Sequence, residues 1–263
     1  MDWNLPVLLL GLLFGVQHAT DPDHIVAVAT IVSRTRRFSA GALIGAFWGL
    51  GHTATVTAVG LAIIGLNVMI TPAVGLSMEL AVALMLMALG AARIVWVFRG
   101  SDAVPVAHLT EPHPEEEAAG LHSHVHAHDG SVHRHPYVHP PRGLRRALRT
   151  VGPGQAFRSL CVGVVHGLAG SAAVALLVLT TIRSAWGAVG YLLLFGAGTM
   201  LGMTAITALL SLPFAARLPA LIRWRRGFAA GTGVLSLAFG LYLAIHIGFV
   251  DGLFLGHPVW LPR

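Results

Sequence analysis

Seven consecutive residues in the first apolar stretch of this chain could do chemistry: His18-Ala19-Thr20-Asp21-Pro22-Asp23-His24. Two imidazoles and two carboxylates this close together offer a mixed nitrogen and oxygen donor set. Such a set suits Ni²⁺, Co²⁺ or Zn²⁺ and disfavours Cu⁺. On a straight helix, at about 100° per residue, His18, Asp21 and His24 fall within about 120° of one face, while Asp23 points elsewhere. Pro22 removes one backbone hydrogen bond and frees the carbonyl of His18, so a kink at this point would turn Asp23 inward.

The surroundings make these side chains costly. A charge at the centre of a membrane helix costs about 2.5–3.5 kcal/mol on insertion scales, and two unpaired carboxylates cost roughly twice that. The chain has no Lys, and Arg stands at the ends of the apolar stretches. A visiting dication is the simplest counter-charge, and a polar cluster that pairs helices without metal is the plainer alternative. Two further imidazoles sit in apolar stretches: His52 in Phe47-Trp48-Gly49-Leu50-Gly51-His52-Thr53, and His166 in Gly163-Val164-Val165-His166-Gly167-Leu168-Ala169-Gly170-Ser171. His18, Asp21, Asp23, His24, His52 and His166 are therefore the candidate metal-binding residues. Ser171 and Thr199 are weaker candidates that also suit helix packing. Glu79 is a proton carrier or an interfacial carboxylate.

The elements that must position these residues are apolar helices. Of 263 residues, 55% are hydrophobic and 11% charged, under half the charge of a soluble domain. Six apolar segments run from about Leu5 to Val32, Ala40 to Leu66, Ile70 to Phe98, Gln155 to Ile182, Ala185 to Leu212 and Gly227 to Val250. At 1.5 Å per residue each is about 36–43 Å long as a helix, enough to cross with tilt. The first lacks a basic n-region and reads as a mature helix. The single cysteine, Cys161, excludes a disulfide framework and a thiolate cage.

Charge in the loops predicts orientation. Arg34, Arg36 and Arg37 lie in the first loop; Arg99, Arg134, Arg142, Arg145, Arg146 and Arg149 in the third; Arg217, Arg223, Arg225 and Arg226 in the fifth. The other side holds only Arg183 and Arg263. This predicts a multi-pass protein of the cell inner membrane with both termini outside. The basic balance, net +6, is explained by topology and calls for no nucleic acid.

The chain also repeats itself. Gly15-Val16-Gln17-His18 matches Gly163-Val164-Val165-His166; Gly49-Leu50-Gly51-His52 matches Gly196-Ala197-Gly198-Thr199; Gly90 to Trp96 runs parallel to Gly240 to His246. The expected fold is an all-α integral membrane protein of six transmembrane helices in two inverted three-helix repeats. Residues 1–99 form the first repeat and 151–263 the second. Residues 100–150, with nine His and four Glu, form a His-rich cytoplasmic linker expected to lack order and to bind metal loosely.

His18-Ala-Thr-Asp-Pro-Asp23-His24-Ile resembles the His-x4-Asp-His signature of the nickel/cobalt transporter superfamily, and Phe47-Trp-Gly-Leu-Gly-His52-Thr resembles its next motif, with a Gly-His-Ser/Thr core. The chain looks like the short, urease-accessory-type nickel permease branch. The resemblance implies that His18, Asp21, Asp23, His24 and His52 bear on metal uptake and selectivity. It carries over no acidic ligand in the second half, where His166-Gly-Leu-Ala-Gly-Ser-Ala stands in place of the longer members' Asp-Thr-Ala-Thr-Glu.

The expected function is secondary transport of Ni²⁺ or Co²⁺, inward rather than outward, with the ion as substrate and no prosthetic group. No Gly-x4-Gly-Lys-Ser/Thr loop is present to bind a nucleotide. Efflux through the same site is the alternative. An intramembrane metalloenzyme is the reading from another class, and it lacks a His-Glu-x-x-His pair and a nucleophile elbow. Partners that fit are the ion, the lipid bilayer, a second copy of the chain and an accessory metallochaperone.

Overall fold

The computed structural model describes residues 5–32, 35, 37–66, 70–99, 121–128, 131–138, 142–168, 182, 184–215 and 219–260. The helices in order are α1 (Leu5–His18), α2 (Pro22–Val32), α3 (Phe38–Leu66), α4 (Pro72–Phe98), α5 (Arg142–Val151), α6 (Pro153–His166), α7 (Ala185–Ala215) and α8 (Pro219–Ile245). The last runs on as a π-helical turn, His246–Val250. Between α4 and α5 lie two strands, β1 (Leu121–His128) and β2 (Ser131–Val138).

Among the described residues, four helical spans are long and apolar enough to cross a membrane: Phe38–Leu66, Pro72–Phe98, Trp186–Leu212 and Arg226–Val250. The chain is a helical, multi-pass membrane protein. The first expected span, Leu5 to Val32, is not one helix. It is α1 and α2, 14 and 11 residues long, each too short to cross about 30 Å of hydrocarbon alone. The cause is Pro22, which begins α2 with no N–H to give and a ring that clashes with a continuing helix. The break is not left raw. Thr20 N and Thr20 Oγ1 both donate to the Gln17 carbonyl, and Asp21 N donates to the His18 carbonyl at 3.1 Å. Of the expected span Gln155 to Ile182, α6 covers the first part; residues 169–181 lie outside the described residues.

The His-rich segment differs from the expectation of a chain without order. β1 and β2 pair antiparallel, with Leu121 opposite Val138 and His128 opposite Ser131. Asp129-Gly130 stands between them in the sequence, and an Asp-Gly pair is a strong hairpin signal that the polar composition masked. In this register His122, His124, His126 and His128 alternate along β1, with His135 opposite His124 and His133 opposite His126.

Four pairings build the bundle: α1 on α7, α3 on α7, α3 on α6, and α4 on α8. Glycine makes the close approaches. A side-chain carbon at Gly15 would strike the carbonyl of Phe195, and one at Gly163 would strike that of Trp48. Gly198 meets the Leu12 carbonyl, as Gly51 meets that of Leu160. Gly49 faces Met200, and Gly196 faces Thr53; Gly90 meets Gly233 and Leu237, and Gly240 meets Ala83 and Met87. Each contact has a partner contact displaced by about half the chain, with the roles of the halves exchanged. The hydrophobic core, including Val28, Ile44, Trp48, Leu86 and Met203, lies where these pairs meet.

These contacts predict opposite outcomes for one kind of substitution. Gly15→Ala and Gly163→Ala force a methyl group against a facing carbonyl, and each should cost about 1–3 kcal/mol by overpacking. Gly231→Ala, with nothing within 4 Å, should be neutral or stabilising. Thermal unfolding of the purified protein in detergent compares them.

Candidate metal centre

The helix break delivers the chemistry. His18 is the last residue of α1, Asp23 and His24 open α2, and His166 is the last residue of α6; His52 sits within α3. Three of the four imidazoles therefore stand at or next to helix ends. His24, His52 and His166 are fully buried, and His18 is 6% exposed.

Asp23 and His18 organise the contacts. Asp23 Oδ2 lies 2.8 Å from His166 Nε2, and its Oδ1 lies 3.2 Å from Nδ1 of His24. One carboxylate thus ties the first half of the chain to the second. His18 Nε2 lies 3.1 Å from His52 Nε2, and its Nδ1 lies 2.8 Å from Asp21 Oδ2. Asp21 therefore sits behind His18, on the nitrogen away from His52, and is 31% exposed. The kink has turned Asp23, not Asp21, toward the other imidazoles.

The rings form one compact group. Centroid separations are 4.2 Å for His24–His166, 4.7 Å for His18–His24, 4.9 Å for His18–His52 and 5.5 Å for His24–His52. Two overlapping donor sets result, His18/His24/His52 and Asp23/His24/His166, with donor atoms within 4.8 Å of one another in each. His24 belongs to both. His24 Nε2, His52 Nδ1 and His166 Nδ1 have no hydrogen-bond partner among the described residues. Leaving a polar atom buried and unpaired costs about 1–3 kcal/mol, so these nitrogens call for a ligand. Imidazole nitrogens beside one part-buried carboxylate fit a dication with nitrogen and oxygen preference.

The remaining sequence candidates lie elsewhere. Thr199 is buried but donates to the Phe195 carbonyl at 2.9 Å, as a packing residue does. Glu79 accepts from Trp260 Nε1 at 2.8 Å. Ser171 lies outside the described residues. Sequence reasoning passed over the aromatic walls. Phe195 packs 5.5 Å from His18, and Trp48 packs 5.4 Å from His166 and 6.1 Å from His24. The signal was available for Trp48, four residues before His52 in the same glycine-rich run. It also placed Arg only at helix ends, whereas Arg93 is buried within α4 and lies over Trp96 at 4.5 Å.

Against known proteins, the chain is 34% identical over 250 residues to the urease accessory protein UreH of Bacillus sp. (strain TB-90), covering 95% of both. It belongs to the UreH family of urease accessory proteins. No family profile matches it, and no solved structure does. Because the UreH-type match covers 95% of the chain, it takes in both halves of the bundle.

In the metal-free protein, Asp23→Ala should leave His24 Nδ1 and His166 Nε2 without their acceptor. A loss of about 1–3 kcal/mol of stability is expected, read as a lowered unfolding temperature in the presence of a chelator.

Proposed function

We propose that this UreH-family protein is a secondary carrier of Ni²⁺ or Co²⁺ across the cell inner membrane, acting in uptake. The observation that carries this reading is a cluster of four buried imidazoles, two of them on the Asp23 carboxylate, with three ring nitrogens unpaired. Kinship with a urease accessory protein fits a role in supplying nickel. His18, His24, His52, His166 and Asp23 bind the ion. Asp21 orients His18 from behind, the arrangement in which a carboxylate fixes the tautomer of a metal-binding imidazole. The His18-x4-Asp23-His24 run, which resembles the signature of the nickel/cobalt transporter superfamily, supports the same reading.

The architecture proposed is six membrane helices in two inverted three-helix repeats, both termini outside and the His-rich hairpin in the cytoplasm. The exchanged glycine contacts support it, since contacts of one half recur with roles reversed in the other. Such a plan puts the site at the repeat interface, where rocking exposes it to each side in turn. The chain has no nucleotide-binding loop, and a dication moving inward gains about 4.6 kcal/mol per 100 mV of membrane potential.

One observation favours export instead: in the hairpin register His124 pairs with His135 and His126 with His133, a run of His positions that would collect metal on the cytoplasmic side. Radioactive nickel separates the two directions. Cells expressing the protein should accumulate more, and lower accumulation would select export. Flux in liposomes holding only this chain is expected; its absence would make the protein a subunit of something larger. In a cobalt titration, Asp21→Asn should weaken binding about 10–100-fold, as loss of an orienting partner does, and His24→Ala should weaken it further because both donor sets lose a member.

A further inference from the structure

The imidazoles of this centre are sealed in, while the Asp23 carboxylate keeps 15% of its surface exposed. His24, His52 and His166 show no exposed surface and His18 shows 6%. Two large rings press on the group, Phe195 at 1% exposure and Trp48 at 0%. Phe195 lies 5.5 Å from His18, and Trp48 lies 5.4 Å from His166. These are one contact made twice. His18 and His166 occupy matching places in the two repeated motifs, and Trp48 and Phe195 each stand immediately before the matching glycines Gly49 and Gly196.

The rings stand on opposite sides. Trp48 is one helical turn, about 6 Å, before His52, toward the start of α3 and the Arg-rich first loop. Phe195 is likewise one turn before Thr199, toward the start of α7 and the outer loop. Nothing polar ties either ring down: phenylalanine has no donor, and Trp48 Nε1 has no hydrogen-bond partner among the described residues. Each ring is held by packing alone and can swing without breaking a hydrogen bond.

We infer that Trp48 is the cytoplasmic lid of the metal centre and Phe195 its outer lid. The inference rests on the carrier reading above and on the orientation drawn from the Arg-rich loops. It names the two side chains that decide from which membrane face the ion is reached.

The test uses the full chain loaded with Co²⁺ and reconstituted in liposomes, with EDTA supplied to one face at a time. An open state of a closed protein is commonly populated at about 0.1–10%, so removing a lid should speed stripping about tenfold or more. Trp48→Ala should do so only from the cytoplasmic face, and Phe195→Ala only from the outer face. Trp48→Phe and Phe195→Leu, which spare more of the packing, should show the same sidedness at smaller amplitude. Equal acceleration from both faces, or none, in either series overturns the lids while the Co²⁺ absorption band of the detergent-solubilised protein persists. A wild-type chain with no such band overturns the metal centre itself and the lids with it.

Discussion

The structure depends on one electrostatic constraint: a carboxylate and four imidazoles lie inside a bundle whose other lining groups are mostly apolar. Hydrocarbon does not solvate such groups, so they must find one another or an ion. Asp23 meets two imidazoles and Asp21 meets a third, yet three ring nitrogens remain unpaired. The hydrogen bonds within the cluster offset part of the burial cost and leave a remainder with the geometry of a cation site. Continuous helix is given up to achieve it. The chain breaks at Pro22, and Gln17 and His18 carbonyls absorb the amides of the turn. Without that interruption Asp23 would lie on a different helix face from His18 and His24.

What holds the group together is backbone packing beside it. Glycine lets α1 lie against α7 and α3 against α6 at backbone contact, since lipid offers no hydrophobic force to drive helices together. These contacts hold His18 beside Phe195 and His166 beside Trp48. The likeness of the two halves ends at the donors. His52 has Thr199 as its counterpart, and Thr199 turns its hydroxyl to its own helix. The packing is therefore nearly symmetric while the donor set is not: the first half supplies three imidazoles and the carboxylate, the second half one imidazole.

Much of this was legible beforehand because it is local. The membrane helices follow from runs of apolar residues, and four of the expected spans are uninterrupted helices. The kink follows from a proline among helix formers. Other features were hidden by their neighbours. The paired strands lay under a composition typical of disorder, although an Asp-Gly pair stands between them in the sequence. The buried Arg93 escaped notice because it lies near the Arg99 end of its helix, where arginine ordinarily reaches water.

By itself the sequence determined which donors exist and that they stand in apolar stretches, because side-chain chemistry and hydropathy are properties of residues in order along the chain. The tertiary structure decided the pairings: Asp23 with His166 across 143 positions, and His18 with His52 across 34. It also decided that Asp21 stands behind an imidazole while Asp23 faces inward. Those outcomes depend on where helices cross and how far a broken helix turns, and these are set by contacts between residues remote in sequence.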